Sequence, residues 1–267
     1  MLEGVMLLWF LLTAASVAFV AVDVGRTPES PVLKWGFLLL TFYTGPIGAF
    51  LYVLGCREPL PGLHERYVAV RWRQVLGSTM HCVAGDGVGI LVGAALGGLL
   101  ALSPGLDIAL EYLLGFGFGW SIFQALFMRD SLGGSYPRAL AATFLPELVS
   151  MNALMAGMLP VMAFGMRTVE GAETPLGPAF WFVMSMALLV GFAAAFPVNW
   201  WLVARGLKHG MMTVRPPGSA ADAPAHAQEG ADRHGGHGEK SSAATGEILL
   251  VTALSFLFLA LGIAVAL

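Results

Sequence analysis

PELVSMNALMAGMLPVMAFGM, residues 146–166, decides how this chain is read. Met151, Met155, Met158, Met162 and Met166 recur at spacings of four, three, four and four. At 3.6 residues per turn they fall on a single arc of roughly 80°. Glu147 lies one turn earlier and continues the same face, with Asn152 beside it. The stretch is apolar and long enough to cross a bilayer as a helix. It therefore predicts a membrane helix with a row of thioethers and a carboxylate at one end. Two readings of the row are open. Methionine is a flexible filler between packed helices, and it is also a soft ligand that selects Cu(I).

The rest of the chain agrees with a membrane setting. Of its 267 residues, 57% are apolar and 12% charged, with a mean hydropathy of +0.75. Apolar runs of membrane-spanning length recur, and alternating strand patterns of the kind a membrane β-barrel needs are absent. The fold class predicted is an all-α, polytopic transmembrane helix bundle. The net charge of −3 says little; the lack of a basic patch with interleaved aromatics argues against a nucleic-acid partner. Cys56 and Cys82 form no CxxC pair, so neither a disulfide framework nor a structural zinc site is indicated. The opening run MLEGVMLLWFLLTAASVAFVAVDVG carries Glu3 and no basic residue, and it is too long for a signal peptide. It reads as a retained membrane helix.

Seven spans are predicted, at 4–22, 32–55, 76–102, 108–128, 139–166, 179–203 and 247–266. Residues 1–215 form a six-span bundle, 216–246 a His-containing cytoplasmic linker, and 247–267 a C-terminal membrane helix. The linker, rich in Pro, Ala, Gly, Ser and His, cannot bury enough apolar surface to fold, though His226, His234 and His237 could bind metal weakly. Loops 56–75, 129–138 and 204–246 hold eleven of the fourteen basic residues; Arg26, Lys34 and Arg167 flank the others. The positive-inside rule then assigns those three loops to the cytoplasm and both termini to the periplasm of a bacterial inner membrane. Within 32–55, Thr44-Gly45-Pro46 predicts a bend. LHERYVAVRWRQ, residues 63–74, suits a short interfacial helix.

The polar interior residues give the candidate site. Asp86 lies about 13 Å into the third span by helix rise, and a membrane-embedded acid marks a functional position or a paired charge. Glu147 enters from the same side at similar depth, and Gln124 and Asn199 fall in the same half. His81 and Cys82 are slightly shallower. Gly89, Gly93 and Gly97 form a GxxxGxxxG groove for close helix approach. The predicted metal site is His81, Cys82, Asp86 and Glu147 at the inner end, continued outward by Met151, Met155, Met158 and Met162. No catalytic residue is assigned.

TFYTGPIGAFLYVLGCREPLPGLHE, RWRQVLGSTMHCVAGDGVGI, FMRDSLGGSYPRAL, FLPELVSMNALMAGMLPVM and PVNWWLVARGLKHGMMTVRP resemble an uncharacterised bacterial membrane-protein family, domain of unknown function 4396. The resemblance spans about residues 35–217 and implies a polytopic inner-membrane protein. The family has no established catalytic residues to carry over.

These residues lead to an integral membrane protein that binds or transports a transition metal, Cu(I) first, along the Met face to the inner site. A non-transporting scaffold or assembly subunit is the alternative. A membrane-embedded metalloenzyme is a third reading, with only His81 and His209 near the membrane to serve it. No GxxxxGK[ST] loop is present to bind ATP. The lipid bilayer is the expected environment, and a homo-oligomer or a membrane-protein partner stays open.

Overall fold

The computed structural model describes residues 2–60, 62–129, 132–212 and 244–267. Ten α-helices make up the described bundle: α1 (Leu2–Asp23), α2 (Pro31–Thr44), α3 (Pro46–Gly55), α4 (His64–Val68), α5 (Arg71–Leu99), α6 (Pro104–Phe118), α7 (Ala125–Arg129), α8 (Tyr136–Thr168), α9 (Pro178–Ala204) and α10 (Thr245–Ala266). A π-helical turn, Gly119–Gln124, joins α6 to α7 in one continuous crossing. Among the described residues, six helical segments are long and apolar enough to cross a membrane. The His-containing linker falls mostly outside the described residues.

The predicted second span is where the fold departs from expectation. α2 and α3 are not one crossing with a bend. They form a hairpin that enters the bundle and leaves by the same face. At its base, Arg57 Nε lies 3.0 Å from Asp23 Oδ2, Tyr52 donates to the same carboxylate at 2.8 Å, and His64 Nε2 lies 3.1 Å from Glu29 Oε1. A straight α2–α3 rod would hold those ends about 35 Å apart. The reversal comes from Gly45, with φ +59° and ψ −135°, followed by Pro46 at the first position of α3. A side chain at Gly45 would be strained by its backbone and would stand 2.5 Å from Thr13 Oγ1 in the middle of α1.

The hairpin tip lies at mid-depth, where stray backbone polar groups are costly. Its residues meet that demand locally. Thr41 and Thr44 donate to Phe37 O and Leu40 O at 2.8 and 2.6 Å. Ser185 of α9 donates to Tyr43 O and accepts from Trp9 Nε1 of α1. Tyr43 in turn reaches Ala84 O of α5. The tip is thus tied to the middles of three crossings.

Six crossings and a re-entrant hairpin place both ends of the chain on one face. Met6 packs with Ala172, Ala179 and Val183, and Arg167 donates to Ala266 O at 3.1 Å. Seven crossings would have separated the termini, so the expected span number and the expected common side of the termini were incompatible; the hairpin removes one crossing. Loop 23–31 moves to the face that carries 56–70, 132–135 and 205–212. Arg26 and Lys34 move with it, leaving Arg167 as the one described basic residue at the opposite end.

Glycines set the helix contacts around the site. α5 and α6 run antiparallel with Gly89, Gly93 and Gly97 against α6: a Cβ at Gly89 would collide with Leu114 O, and one at Gly93 would stand 2.8 Å from Glu111 Cα. α8 and α9 close through Gly157 and Gly191, where added Cβ atoms would lie 3.0 Å from Val190 O and 2.9 Å from Leu154 O. α8 runs as one helix through Pro146 and Pro160. α10 packs on its outer side through Gly262, and Asn152 donates to Ser255 Oγ at 3.0 Å. The short helix expected in 63–74 is present as α4, followed directly by the start of α5.

Candidate functional site

Met151, Met155 and Met158 are fully buried, Met162 is nearly so, and Met166 is partly buried. The thioether row therefore faces the bundle, not the lipid. Its members do not all face one neighbour. Met151 Cε lies beside Gly115 of α6, close to Asp86 O, whereas Met158 Cγ sits under Gly191 of α9.

The Glu147 end of the row is a buried polar cluster. Cys82 donates its thiol hydrogen to Glu147 Oε2 at 3.0 Å and accepts from Gln124 Nε2 at 2.8 Å. Asp86, one turn along α5 from Cys82, is near enough to Glu147 for the two carboxyl groups to act on one another. Neither Asp86 oxygen, nor Glu147 Oε1, has a hydrogen-bond donor among the described residues. Two carboxylates in this arrangement repel unless they share a proton or a cation. The predicted meeting of Asp86 and Glu147, on two helices entering from the same face, is thus present.

The cation in this cluster is Lys208. Its ammonium donates to Cys82 Sγ and to Glu147 Oε2, the latter at 3.2 Å. α9 ends at Ala204, and Gly206 takes φ +67°, the left-handed C-terminal cap that glycine favours. Leu207 N and Lys208 N then both bond to Leu202 O. This turn throws the chain back under the bundle. Gln74 of α5 pins the return: its backbone carbonyl accepts from Met211 N, and its side chain bonds both Met212 N and Met212 O. Lys208 lies past the end of the α9 crossing. Burial alone would favour its neutral form, but the facing Cys82 and Glu147 outweigh that and hold its pKa above the ordinary lysine value.

The π-helical turn completes the wall. Gly119 opens it, and the Asp86 carboxyl occupies the space a Cβ at Gly119 would need. Gln124 closes it and supplies the amide to Cys82. Such wide turns recur at functional sites. A cleft of about 270 Å³, bordered by Gln124, Met128, Thr143, Pro146, Lys208 and His209, adjoins the cluster. Water's share of liquid volume is about 30 Å³, so the cleft has room for a hydrated small ion.

His81 stands at the edge of this cluster, within electrostatic reach of Glu147 and Lys208, and shows no direct bond to either. Its ring packs against Phe123 and Phe127, with centroids 5.5 and 5.2 Å away, and Nε2 lies 3.2 Å from Phe123 O. Asn199 bonds Ser150 Oγ, and Asn152 accepts from Tyr112 at 2.6 Å. Among the described residues no three His, Cys, Asp or Glu side chains converge closely enough to hold a metal ion. Cys82 and Glu147 are bridged by a hydrogen bond with Asp86 nearby, and Met151, one turn beyond Glu147 on α8, begins the row that Met155, Met158 and Met162 continue.

Sequence reasoning missed Lys208 and Glu111. Lys208 was left in a loop, although two buried acids call for a cation and this lysine follows closely on the end of the sixth predicted span. Glu111 was passed over in an aromatic stretch. Its i, i+4 relation to Asp107 and to Gly115 and Gly119 puts all four on one helix face, which was the available signal.

The chain belongs to the family described as domain of unknown function DUF4396, whose model matches residues 71–208. The match runs from the first residue of α5 to Lys208. It contains the whole cluster and leaves out α1, the re-entrant hairpin and α10, a narrower extent than the resemblance noted from the motifs. No curated protein and no solved structure matches the chain.

Proposed function

We propose that this protein is an integral membrane carrier that binds a soft cation, Cu(I), at Cys82, Glu147, Asp86 and Met151. Lys208 fills the cation position when the site holds no metal. The observation that carries this reading is the buried Lys208 ammonium against a thiol and a carboxylate. A site built to balance a cation accepts another one when the tethered amine withdraws, and a Cys/Met donor set favours Cu(I) over harder ions. Metal entry would release the Cys82 proton and the one shared by Asp86 and Glu147, linking binding to proton movement. The Met row from Met155 to Met162 would hand the ion along weak ligands. The positive-inside rule supports a bacterial inner membrane with the Lys208 face in the cytoplasm and both termini outside.

A second reading has its own support. Met151 against Gly115 and Met158 against Gly191 fill helix gaps closely, as scaffold methionines do. Elemental analysis of the purified protein after anaerobic Cu(I) loading separates the two. The carrier reading expects near-stoichiometric copper, lost in Cys82→Ser and reduced in Met155→Leu. No copper retained in the parent protein returns the Met face to packing and the chain to a scaffold role.

A further inference from the structure

We propose that Glu111, entered through Asp107, is a second, proton-binding site in the half of the bundle opposite Lys208. Glu111 sits in the middle of α6, has no solvent exposure, and has no hydrogen-bond partner for either carboxyl oxygen among the described residues. It faces the α5 glycine groove: a Cβ at Gly93 would stand 3.3 Å from its Cγ. Asp107 lies one turn nearer the surface on the same face. Its carboxyl is turned into the notch left by Gly97, its Oδ1 lacks a partner, and the residue is half-buried. The two acids form a step from the membrane surface to the interior.

The ligand is a proton because the surroundings suit nothing larger. A hard divalent cation needs six or more oxygens at short range, and the α5 wall here offers glycine CH groups. Asp107 is the ionisable neighbour that acts on Glu111; the facing α5 positions, Gly93 and Gly97, bring no charge. An unpaired carboxylate at this depth is expensive, and the same group as a neutral acid costs far less. Glu111 also stands on the seam that leads to Asp86. Asp107, Glu111, Gly115 and Gly119 share one face of the crossing, and Asp86 is seated against Gly119. From Glu111 to that level is about 12 Å by helix rise. The seam therefore carries two carboxyl stations, and the outer one does not depend on whether the inner one takes a metal.

The test uses the full chain in lipid nanodiscs and dicyclohexylcarbodiimide, which adds only to a protonated carboxyl and leaves a stable N-acylurea. Peptide mass spectrometry of the unaltered protein should place the adduct on Glu111 in mildly acidic buffer. Infrared difference spectra between acidic and alkaline buffer should show a protonated-carboxyl band that is reversible and missing in Glu111→Gln. An unlabelled Glu111 overturns the proposal. So does a pH-insensitive band, which would make Glu111 a permanently neutral packing group. Neither readout requires copper to bind, so failure of the carrier reading leaves this result interpretable.

Discussion

Lys208 Nζ stands 3.2 Å from Glu147 Oε2, with the two side chains 4% and 0% exposed. The pair joins the turn that follows α9 to the first half of α8, the longest helix. Removing one partner of such a pair leaves an uncompensated buried charge, which costs about 3–5 kcal/mol. Lys208→Met should therefore lower the thermal midpoint strongly. Glu147→Gln combined with Lys208→Met should recover much of the loss, giving a coupling energy in a double-mutant cycle. A Lys208→Met protein as stable as the parent would show that the ammonium is not held in the cluster.

Gly119 and Gly117 lie on the same crossing and make a matched test of the Asp86 seat. A Cβ at Gly119 collides with Asp86 Oδ1, whereas nothing lies within 4 Å of one at Gly117. Gly119→Ala should destabilise by about 1–3 kcal/mol, the usual cost of overpacking. Gly117→Ala should be neutral or stabilising by up to about 1 kcal/mol through helix propensity. Chemical-denaturation midpoints compared across the two variants give the answer; equal effects would mean Asp86 does not occupy the Gly119 notch.

The re-entrant hairpin predicts which loops share a side. Single cysteines at Arg26 and Gly62 should react with a membrane-impermeant maleimide from one face, and a cysteine at Gly171 from the other. Native Cys56 and Cys82 are buried and free, so they contribute little background. Labelling of Arg26→Cys and Gly62→Cys from opposite sides would restore the straight second span.

Tyr52 holds the hairpin base through the Asp23 carboxylate at 2.8 Å. Hydrogen bonds to charged groups contribute about 1.5–3 kcal/mol. Tyr52→Phe should cost that amount at most, because Arg57 still pairs with Asp23. Faster protease cutting in the 57–63 segment would show the base loosening; unchanged cutting and an unchanged midpoint would place the anchor elsewhere.

Helix periodicity made the Met face legible, and depth counting brought Asp86 and Glu147 together before any coordinates. Both arguments use helix geometry alone, and both residues lie on unbroken helices. The hairpin escaped because residues 32–55 are apolar and long enough to span, so length favoured a crossing. Only the backbone at Gly45 distinguishes a bend from a reversal. Lys208 escaped because its position is set by the left-handed turn at Gly206 and by the Gln74 clip, which are contacts across the whole bundle. His81 was credited for adjacency to Cys82, yet neighbouring helical residues point about 100° apart, and its ring went to Phe123 and Phe127.

The wide turn at 119–124 has a rotational consequence. In an α-helix, residues five apart differ by about 140° around the axis, so Gly119 and Gln124 could not both front α5. The i→i+5 closure of a π turn brings them back to nearly the same bearing. The turn thus works as a phase correction of one residue within a single crossing. Rewinding these six residues as ordinary α-helix, with none removed, would swing Gln124 away from Cys82 while the Asp86 seat at Gly119 stayed in place; removing one residue would restore the α-helix with both still fronting α5, about 40° apart.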